Sequence, residues 1–281
     1  MPGSLFVVST PIGNLDDITL RALNTLKRVG LIAAEDTRRT SILLRHFGIG
    51  TPTTSFHEHN ERQKLPQLLQ KLASGIDVAL VSDAGTPLVA DPGQRLTAAA
   101  ISEGVAVVPI PGASAVLAAL TVSGLAADAF VFAGFAPSKL NERTKWLRSV
   151  ADEKRPVVFF EAPHRIRRTL SELRVLGERP IVIARELTKL HEQVLYTSSI
   201  EASEIAIAER GEFTVVIAPI HATNIVPQTI DNNDVYKYFY HLTNNEGLER
   251  RPALTKTAHH FGLSTKSVFS MLEKCKNSPA P

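Results

Sequence analysis

The chain has 281 residues, 44% of them hydrophobic and 21% charged, with a mean hydropathy of +0.02. That composition excludes wholesale disorder, and the length predicts about two domains at ~150 residues each. A formal charge of +3 permits an anionic partner without demanding one, and the lone Cys275 excludes an internal disulfide or a cysteine-based zinc cluster.

The first residues lack the basic head and long apolar stretch of a signal peptide. No apolar run approaches the ~20 residues of a membrane span, so a soluble, cytoplasmic protein is expected. Near-continuous apolar runs at 5–8, 31–34, 78–81 and 105–110 read as strands of a parallel sheet covered on both faces. Between them Ile18, Ala22, Leu26 and Val29 mark a helix with Asp16 and Asp17 in its first turn. Leu65, Leu68, Leu69 and Leu72 mark another, ended by Gly75. A second set of strands is expected at 130–133, 157–160, 181–184 and 213–218, with helices near 142–150 and 166–176.

The expected architecture is therefore α/β: an N-terminal domain over 1–117 and a C-terminal α/β domain over 118–222, sharing a cleft. Residues 223–234 read as a linker rich in Asn and Asp, and 235–281 as a small all-helical module. After residue 220 there are seven Lys or Arg against five Asp or Glu, a modest basic excess. Ala258, Gly262 and Val268 have helix-turn-helix spacing, with Ser264 as the cap of the second helix. A plain helical hairpin fits nearly as well. A true motif would offer Lys266 and Ser267 to nucleic acid.

Three Gly- and Pro-containing turns follow strands: Ser9-Thr-Pro-Ile-Gly-Asn-Leu15, Ser82-Asp-Ala-Gly-Thr-Pro continuing to Gly93, and Pro111-Gly-Ala-Ser-Ala115. Together they read as a ligand site at one sheet edge, with Asp83, Thr86 and Asp91 beside free backbone amides. Each taken singly is also explained as an ordinary capped connection. GxGxxG and P-loop patterns are absent, as is a nucleophile elbow. Ala34-Glu-Asp-Thr-Arg-Arg39, Phe160-Glu-Ala-Pro-His-Arg165 and Arg185-Glu-Leu-Thr-Lys189 place acids and bases past further strand ends. Arg38, Arg165, Arg185 and Lys189 would form a phosphate-binding rim if they share the cleft, or solvated faces if they do not. His57 and His59 lack metal-site spacing, so no metal is expected and the segment reads as a polar active-site or RNA-facing loop.

These six blocks, in this order, closely resemble the small-subunit ribosomal RNA methyltransferase I group of the tetrapyrrole methylase superfamily, over residues ~5–220. The tail resembles the helix-turn-helix extension of many members. The resemblance implies a homodimer of two α/β domains and S-adenosyl-L-methionine folded into the cleft. It also implies 2′-O-methylation of a cytidine in the decoding region of small-subunit rRNA, presented naked or in the assembled subunit. It places Ile12, Asp83, Gly85, Thr86, Val89, Ser114 and Ala115 around the cofactor, covered by Glu161, Ala162 and a turn at Ala184 and Arg185. Pro11-Ile-Gly-Asn replaces the glycine-richer loop of porphyrin-modifying relatives. Ala90, Ala113 and Ala162 stand where Ser or Pro is common, and Gln193 where a second acid often follows Glu192.

Methyl transfer to a ribose hydroxyl needs an oriented hydroxyl and an outlet for its proton. Glu35, Asp36 and Glu186 are the candidate bases, and Arg38, Arg185 and Lys189 the electrostatic partners, because all sit at strand ends. Positioning alone, with no single base, is equally open. A tetrapyrrole methylase is the rival reading, followed by a ligand-sensing DNA-binding regulator.

Overall fold

In a computed structural model, residues 1–220, 232–245, 247–261 and 265–276 are described. Residues 1–225 form one compact unit and 226–281 a second. In the first unit, β1 (Leu5–Val8), β2 (Leu31–Ala34), β3 (Thr53–Ser55), β4 (Val78–Val81) and β5 (Val107–Ile110) form a parallel sheet in the order β3-β2-β4-β1-β5. Its alternating residues divide between two cores, which is why the central strands read as unbroken apolar runs. Phe6, Val8, Ile32, Ala34 and Val81 pack with Ala22 and Leu26 of α1 (Leu20–Arg28) and Leu44 of α2 (Thr37–His46). Leu5, Leu31, Ala33, Val78 and Leu80 pack with Leu68 and Leu72 of α3 (Glu61–Ala73), and with Leu96 and Ala100 of α4 (Gln94–Ser102). Each fully buried Leu, Ile or Phe contributes about 1.5–3 kcal/mol of transfer free energy.

The second sheet is mixed. β6 (Val131–Phe135), β7 (Val157–Glu161), β8 (Pro180–Arg185), β9 (Gln193–Ser198) and β10 (Phe213–Ile217) lie in the order β6-β7-β10-β8-β9. Only the β6–β7 pair is parallel. One face packs on α6 (Leu140–Asp152) and α7 (Ile166–Glu172) through Val150, Ile166, Leu170, Phe159, Ile183 and Val215. The other face packs on α5 (Ala115–Ser123) through Val116, Leu120, Val158, Val182 and Val216. Thus α5, which straddles residues 117 and 118, covers the second sheet. Ile12 and Leu187 join this same cluster, so the turn after β1 is anchored in the second sheet's core.

Several local expectations are refined. Thr19, not Asp16 or Asp17, caps α1 by accepting from the Ala22 amide at 3.0 Å; the two acids lie in a preceding single turn capped by Asn14. Ser114 caps α5, accepting from the Leu117 amide at 3.5 Å, and Gly75 follows α3 at φ +89°. Ala184 and Arg185 are not in a turn: they end β8, paired with Thr214 and Phe213 of β10.

The second unit contains α8 (Asn232–Asn244), α9 (Arg250–Phe261) and α10 (Thr265–Lys276). Val235, Ala258, Val268 and Leu272 form its core with Phe239 and Leu254 packed alongside. Ala258 and Val268 are buried, which the helix-turn-helix and the plain hairpin readings share. Gly262 and Ser264 lie outside the described residues, as do the side chains of Lys266 and Ser267 and the expected linker up to residue 231. No helix among the described residues is long and apolar enough to cross a membrane.

Candidate active site

β1 and β4 are neighbours whose onward connections leave in opposite directions, toward β2 and β5. Such a divergence opens a crevice beyond the carboxyl ends of the strands. The loops there are stitched together. Thr10 donates its amide to the Gly85 carbonyl at 2.8 Å, and Gly85 donates to the Thr10 carbonyl at 3.0 Å. The hydroxyls of Ser9 and Thr86 are 2.9 Å apart, and Thr86 donates to the Ala113 carbonyl at 3.3 Å. Gly85 adopts φ +76°, while Leu88 and Ala90 are held in the same left-handed region without being glycine. That conformation costs about 1 kcal/mol or more for each, so the surrounding contacts impose it.

Between these loops and the second sheet lies a cavity of about 470 Å³, within the ~300–1,000 Å³ typical of small-molecule sites. Ile12, Val89, Ala115 and Val116 form apolar wall on one side, and Phe135 and Phe160 on the other. Glu35, Asp83 and Asp91 also line it. The Asp83 amide donates to Glu35 Oε2 at 3.2 Å, the Asp36 amide donates to Asp83 Oδ1 at 3.0 Å, and Arg39 Nη1 is 3.3 Å from Asp83 Oδ2. Burial raises the Glu35 carboxyl above its ordinary pKa, despite the Asp83 amide, and the Asp83 charge adds to the rise. Asp91 is pushed up to about 6 by burial, against the Ser82 hydroxyl beside it, with the charges of Glu35 and Asp83 contributing.

Of the expected cofactor residues, Ile12, Asp83, Gly85, Thr86, Val89, Ser114, Ala115, Glu161 and Ala162 all border this cavity. Ala184 does not: its side chain is buried in the core behind β8. Glu161 turns its carboxylate inward, 2.7 Å from Arg165 Nη2 and 3.8 Å from Arg143 Nη1, and accepts from Thr169 and from the Ala162 amide. It thereby holds the backbone of Ala162 at the cavity wall.

The expected catalytic set does not assemble as one group. Asp36 caps α2 and grips Arg38 through two hydrogen bonds of 3.0 and 2.7 Å, which with the Arg38 amide hold it well below the usual carboxylate range. Arg38 itself is 90% exposed and points away. Arg185 is buried, donating to the Arg210 carbonyl and to Gln193 Oε1. The neutral Gln193 thus serves as an acceptor for that guanidinium. Glu186, at φ +53°, accepts from Lys189 Nζ at 2.8 Å and from the Glu212 amide at 3.0 Å. Burial would raise its pKa, but these donors outweigh burial and leave it lowered. Lys189 also reaches Glu212 at 3.0 Å and borders an adjoining cavity of about 220 Å³.

The four cations expected at a phosphate rim are each occupied, Arg38 by Asp36, Arg165 by Glu161, Arg185 by carbonyl and amide oxygens, and Lys189 by two glutamates. Arg39 is the arginine at the site, one residue and about 100° of helix beyond Arg38. Phe135, Phe160 and residues 211–213 also line the cavity without having been expected there. Positive φ at Gly211 is the one local signal for that last segment. Among the described residues, no group of three or more His, Cys, Asp or Glu is arranged to hold a metal.

The family model for tetrapyrrole (corrin/porphyrin) methylases matches residues 4–202. A ribosomal RNA small subunit methyltransferase I from Synechocystis is 51% identical over 221 residues, covering 77% of this chain and 79% of its own. One from Pseudomonas aeruginosa is 47% identical with the same coverages. Among solved structures, the methyltransferase CobJ superposes with a TM-score of 0.62 at 22% identity, covering 80% of this chain and 98% of its own. A uroporphyrin-III C-methyl transferase from Thermus thermophilus, complexed with S-adenyl homocysteine, superposes with a TM-score of 0.56 at 19% identity, covering 77% and 97%. The sheets, the strand-end loops and the cavity they frame are therefore those of a member of the tetrapyrrole methylase family, in its ribosomal RNA small subunit methyltransferase I group.

Proposed function

We propose that this protein transfers a methyl group from S-adenosyl-L-methionine to the 2′-hydroxyl of a cytidine in small-subunit ribosomal RNA. The observation that carries the reading is the 51% identity, over 77% of the chain, to a relative named for that RNA. The tetrapyrrole-modifying structures share the fold at only about a fifth identity, which leaves substrate choice open to divergence.

The cavity's own chemistry fits the cofactor. Apolar walls suit an adenosine, and Glu35 and Asp83 suit cationic groups in a partly desolvated site. When bound, the cofactor supplies an electrophilic methyl on a sulfonium. The protein's part is to hold the hydroxyl in line, exclude water and receive a proton. Ile12, Gly85 and Ala115 shape the floor, and Glu161 fixes the Ala162 amide from the opposite wall. Glu35, of the three carboxylates first considered as bases, is the one that lines the cavity and keeps a raised pKa. Lys189, Glu186 and Arg185 lock the loop after β8, and Thr188 accepts from the Asn14 amide at 3.0 Å, tying that loop to the turn after β1. A cytoplasmic homodimer is part of the same proposal.

The test uses purified protein, methyl-labelled cofactor, and either small ribosomal subunits or their extracted RNA, followed by digestion to nucleosides. Label is expected in 2′-O-methylcytidine, and the better acceptor shows whether assembly is required. Cofactor binding with no labelled RNA, and label in a porphyrin, would place the protein with the tetrapyrrole-modifying branch instead.

A further inference from the structure

We propose that a second cavity beside the cofactor pocket receives the acceptor nucleotide, and that Asp91, on the wall the two share, takes the proton from its 2′-hydroxyl. The inference rests on the methyl-transfer reading above. An opening of about 480 Å³ lies between the turn that follows β3 and the segment 90–95. It shares Glu35, Ala90 and Asp91 with the cofactor cavity, so occupants of the two would meet across that wall. Where the cofactor cavity has aromatic and aliphatic walls, this one presents His57, Glu58, His59, Glu61 and Arg95. Carboxylates and imidazoles accept from ribose hydroxyls and from the exocyclic amine of cytosine. His57 Nδ1 is buried with no hydrogen-bond partner among the described residues, while its Nε2 lies 3.1 Å from Asn60 Nδ2.

Asp91 is set on the wall by backbone that resists relaxation. Ala90 precedes it at φ +67°, and Gly93 follows at φ +121°, where a Cβ would sit 2.6 Å from Leu80 Cδ2 and 2.9 Å from Leu88 Cδ2. The groups facing it come from every adjoining element. Ser82 lies beside it, its hydroxyl donating to the Ala84 carbonyl at 3.3 Å, and Glu35 and Asp83 add negative charge. Arg39 is engaged by Asp83, Arg95 lies 3.7 Å from Glu61, and His57, His59 and Glu58 line the far side. Burial and the neighbouring charges lift Asp91 to about 6, so at neutral pH it is ionised yet basic enough to accept a proton. Glu35 shares the wall, but its Oε2 is committed to the Asp83 amide. In the step, the ribose oxygen bonds to the methyl carbon as the carbon–sulfur bond breaks. The electron pair remains on sulfur as a neutral thioether, and the hydroxyl proton passes to Asp91 and then to water.

Single-turnover methylation of small subunits between about pH 5 and pH 9 tests this, using Asp91→Asn, Asp91→Glu and Glu35→Gln in the full chain. The wild-type rate should rise through pH ~6 to a plateau. Asp91→Asn should lose that limb and fall about 100-fold or more, Asp91→Glu should recover part of the rate, and Glu35→Gln should move the limb to lower pH by removing a charge that raises Asp91. Cofactor affinity by calorimetry and RNA affinity by filter binding should stay within about threefold of wild type in Asp91→Asn. A limb and rate unchanged in Asp91→Asn overturn the proposal. Should that variant fail to fold, carboxyl ¹³C NMR of wild type decides: Asp91 titrating near 6 supports the proposal, and titration near ~4, the ordinary range, overturns it. A wild type that methylates no RNA overturns the parent reading and this one together, whereas a methylating wild type with an indifferent Asp91→Asn overturns this one alone.

Discussion

Arg38 and Arg39 are adjacent in sequence and differ in everything that matters to the site. Arg38 is 90% exposed and bound to the cap of its own helix, whereas Arg39 reaches Asp83 and borders both the cofactor cavity and its smaller neighbour. Arg39→Ala should lower kcat/KM for methyl transfer by about threefold to tenfold, because Arg39, though 63% exposed, is the countercharge of the Asp83 carboxylate that lines the cavity. Arg38→Ala should stay within about twofold, as expected for an exposed pair. Steady-state kinetics on small subunits reads both. The contrast shows what sequence could and could not deliver. Two arginines past a strand end marked the neighbourhood, but which one faces inward depends on the phase of α2, set by Asp36 as its cap. Asp91 carries a second, independent prediction. Its native pKa of about 6 lies above its unfolded value, so the folded protein binds the extra proton in the window between ~4 and ~6. Above that window the ionised native Asp91 opposes folding, and the opposition fades as pH falls through it. The stability advantage of Asp91→Asn over wild type in urea denaturation should therefore shrink between about pH 7 and pH 4.5.

At the scale of elements, the central strands were legible, as were the edge strands β5 and β6, whereas the edge strands β3 and β9 were not. The runs at 5–8, 31–34 and 78–81 coincide with β1, β2 and β4 because burial on both faces demands apolar residues at every position. β3 (Thr-Thr-Ser) and β9 (Gln-Val-Leu-Tyr-Thr-Ser) escaped notice because each lies at a sheet edge with a partly exposed face. The loop after β8 was expected to carry a base and electrostatic partners, and its charges pair with one another, Lys189 with Glu186 and Glu212. Gly211 sits at φ +86°, where a Cβ would lie 2.6 Å from the Glu186 carboxyl carbon. Gly211→Ala should cost ~1–3 kcal/mol through strain and weaken cofactor binding, since residues 211–213 line the cavity. Chemical denaturation and calorimetry measure the two effects. Below β7, the buried Glu161 carboxylate pairs with Arg165 and with Arg143, which Glu172 also engages. Glu161→Gln leaves Arg165 without its carboxylate, while Arg143 keeps Glu172, and should destabilise by about 1–3 kcal/mol.

For the whole molecule, the ordered series of strand-end blocks made the fold and the site corner legible together, because a parallel sheet places its chemistry at the carboxyl ends of its strands. What the series conveyed only in part was the contribution of the second sheet, of which Glu161 and Ala162 were expected at the cavity. Phe160 read as an ordinary strand residue and Phe135 fell beyond the expected strand, and only the tertiary arrangement turns them into a cavity wall. The separation of residues 226–281 as their own unit gives a further expectation. A chain ending at residue 225 should fold and bind S-adenosylhomocysteine within about twofold of the full chain, because every cavity residue precedes that point. If the tail contributes phosphate contacts, its loss should lower RNA affinity and flatten the salt dependence of binding.

The position of the cofactor underlies both the site and its chemistry, and a crystal structure with S-adenosylhomocysteine measures it directly. The ligand is expected in the cavity between the sheets, against Ile12, Gly85, Val89 and Ala115, with Asp91 at the rim shared with the second opening. A ligand bound anywhere else would contradict both the site and the mechanism built on it.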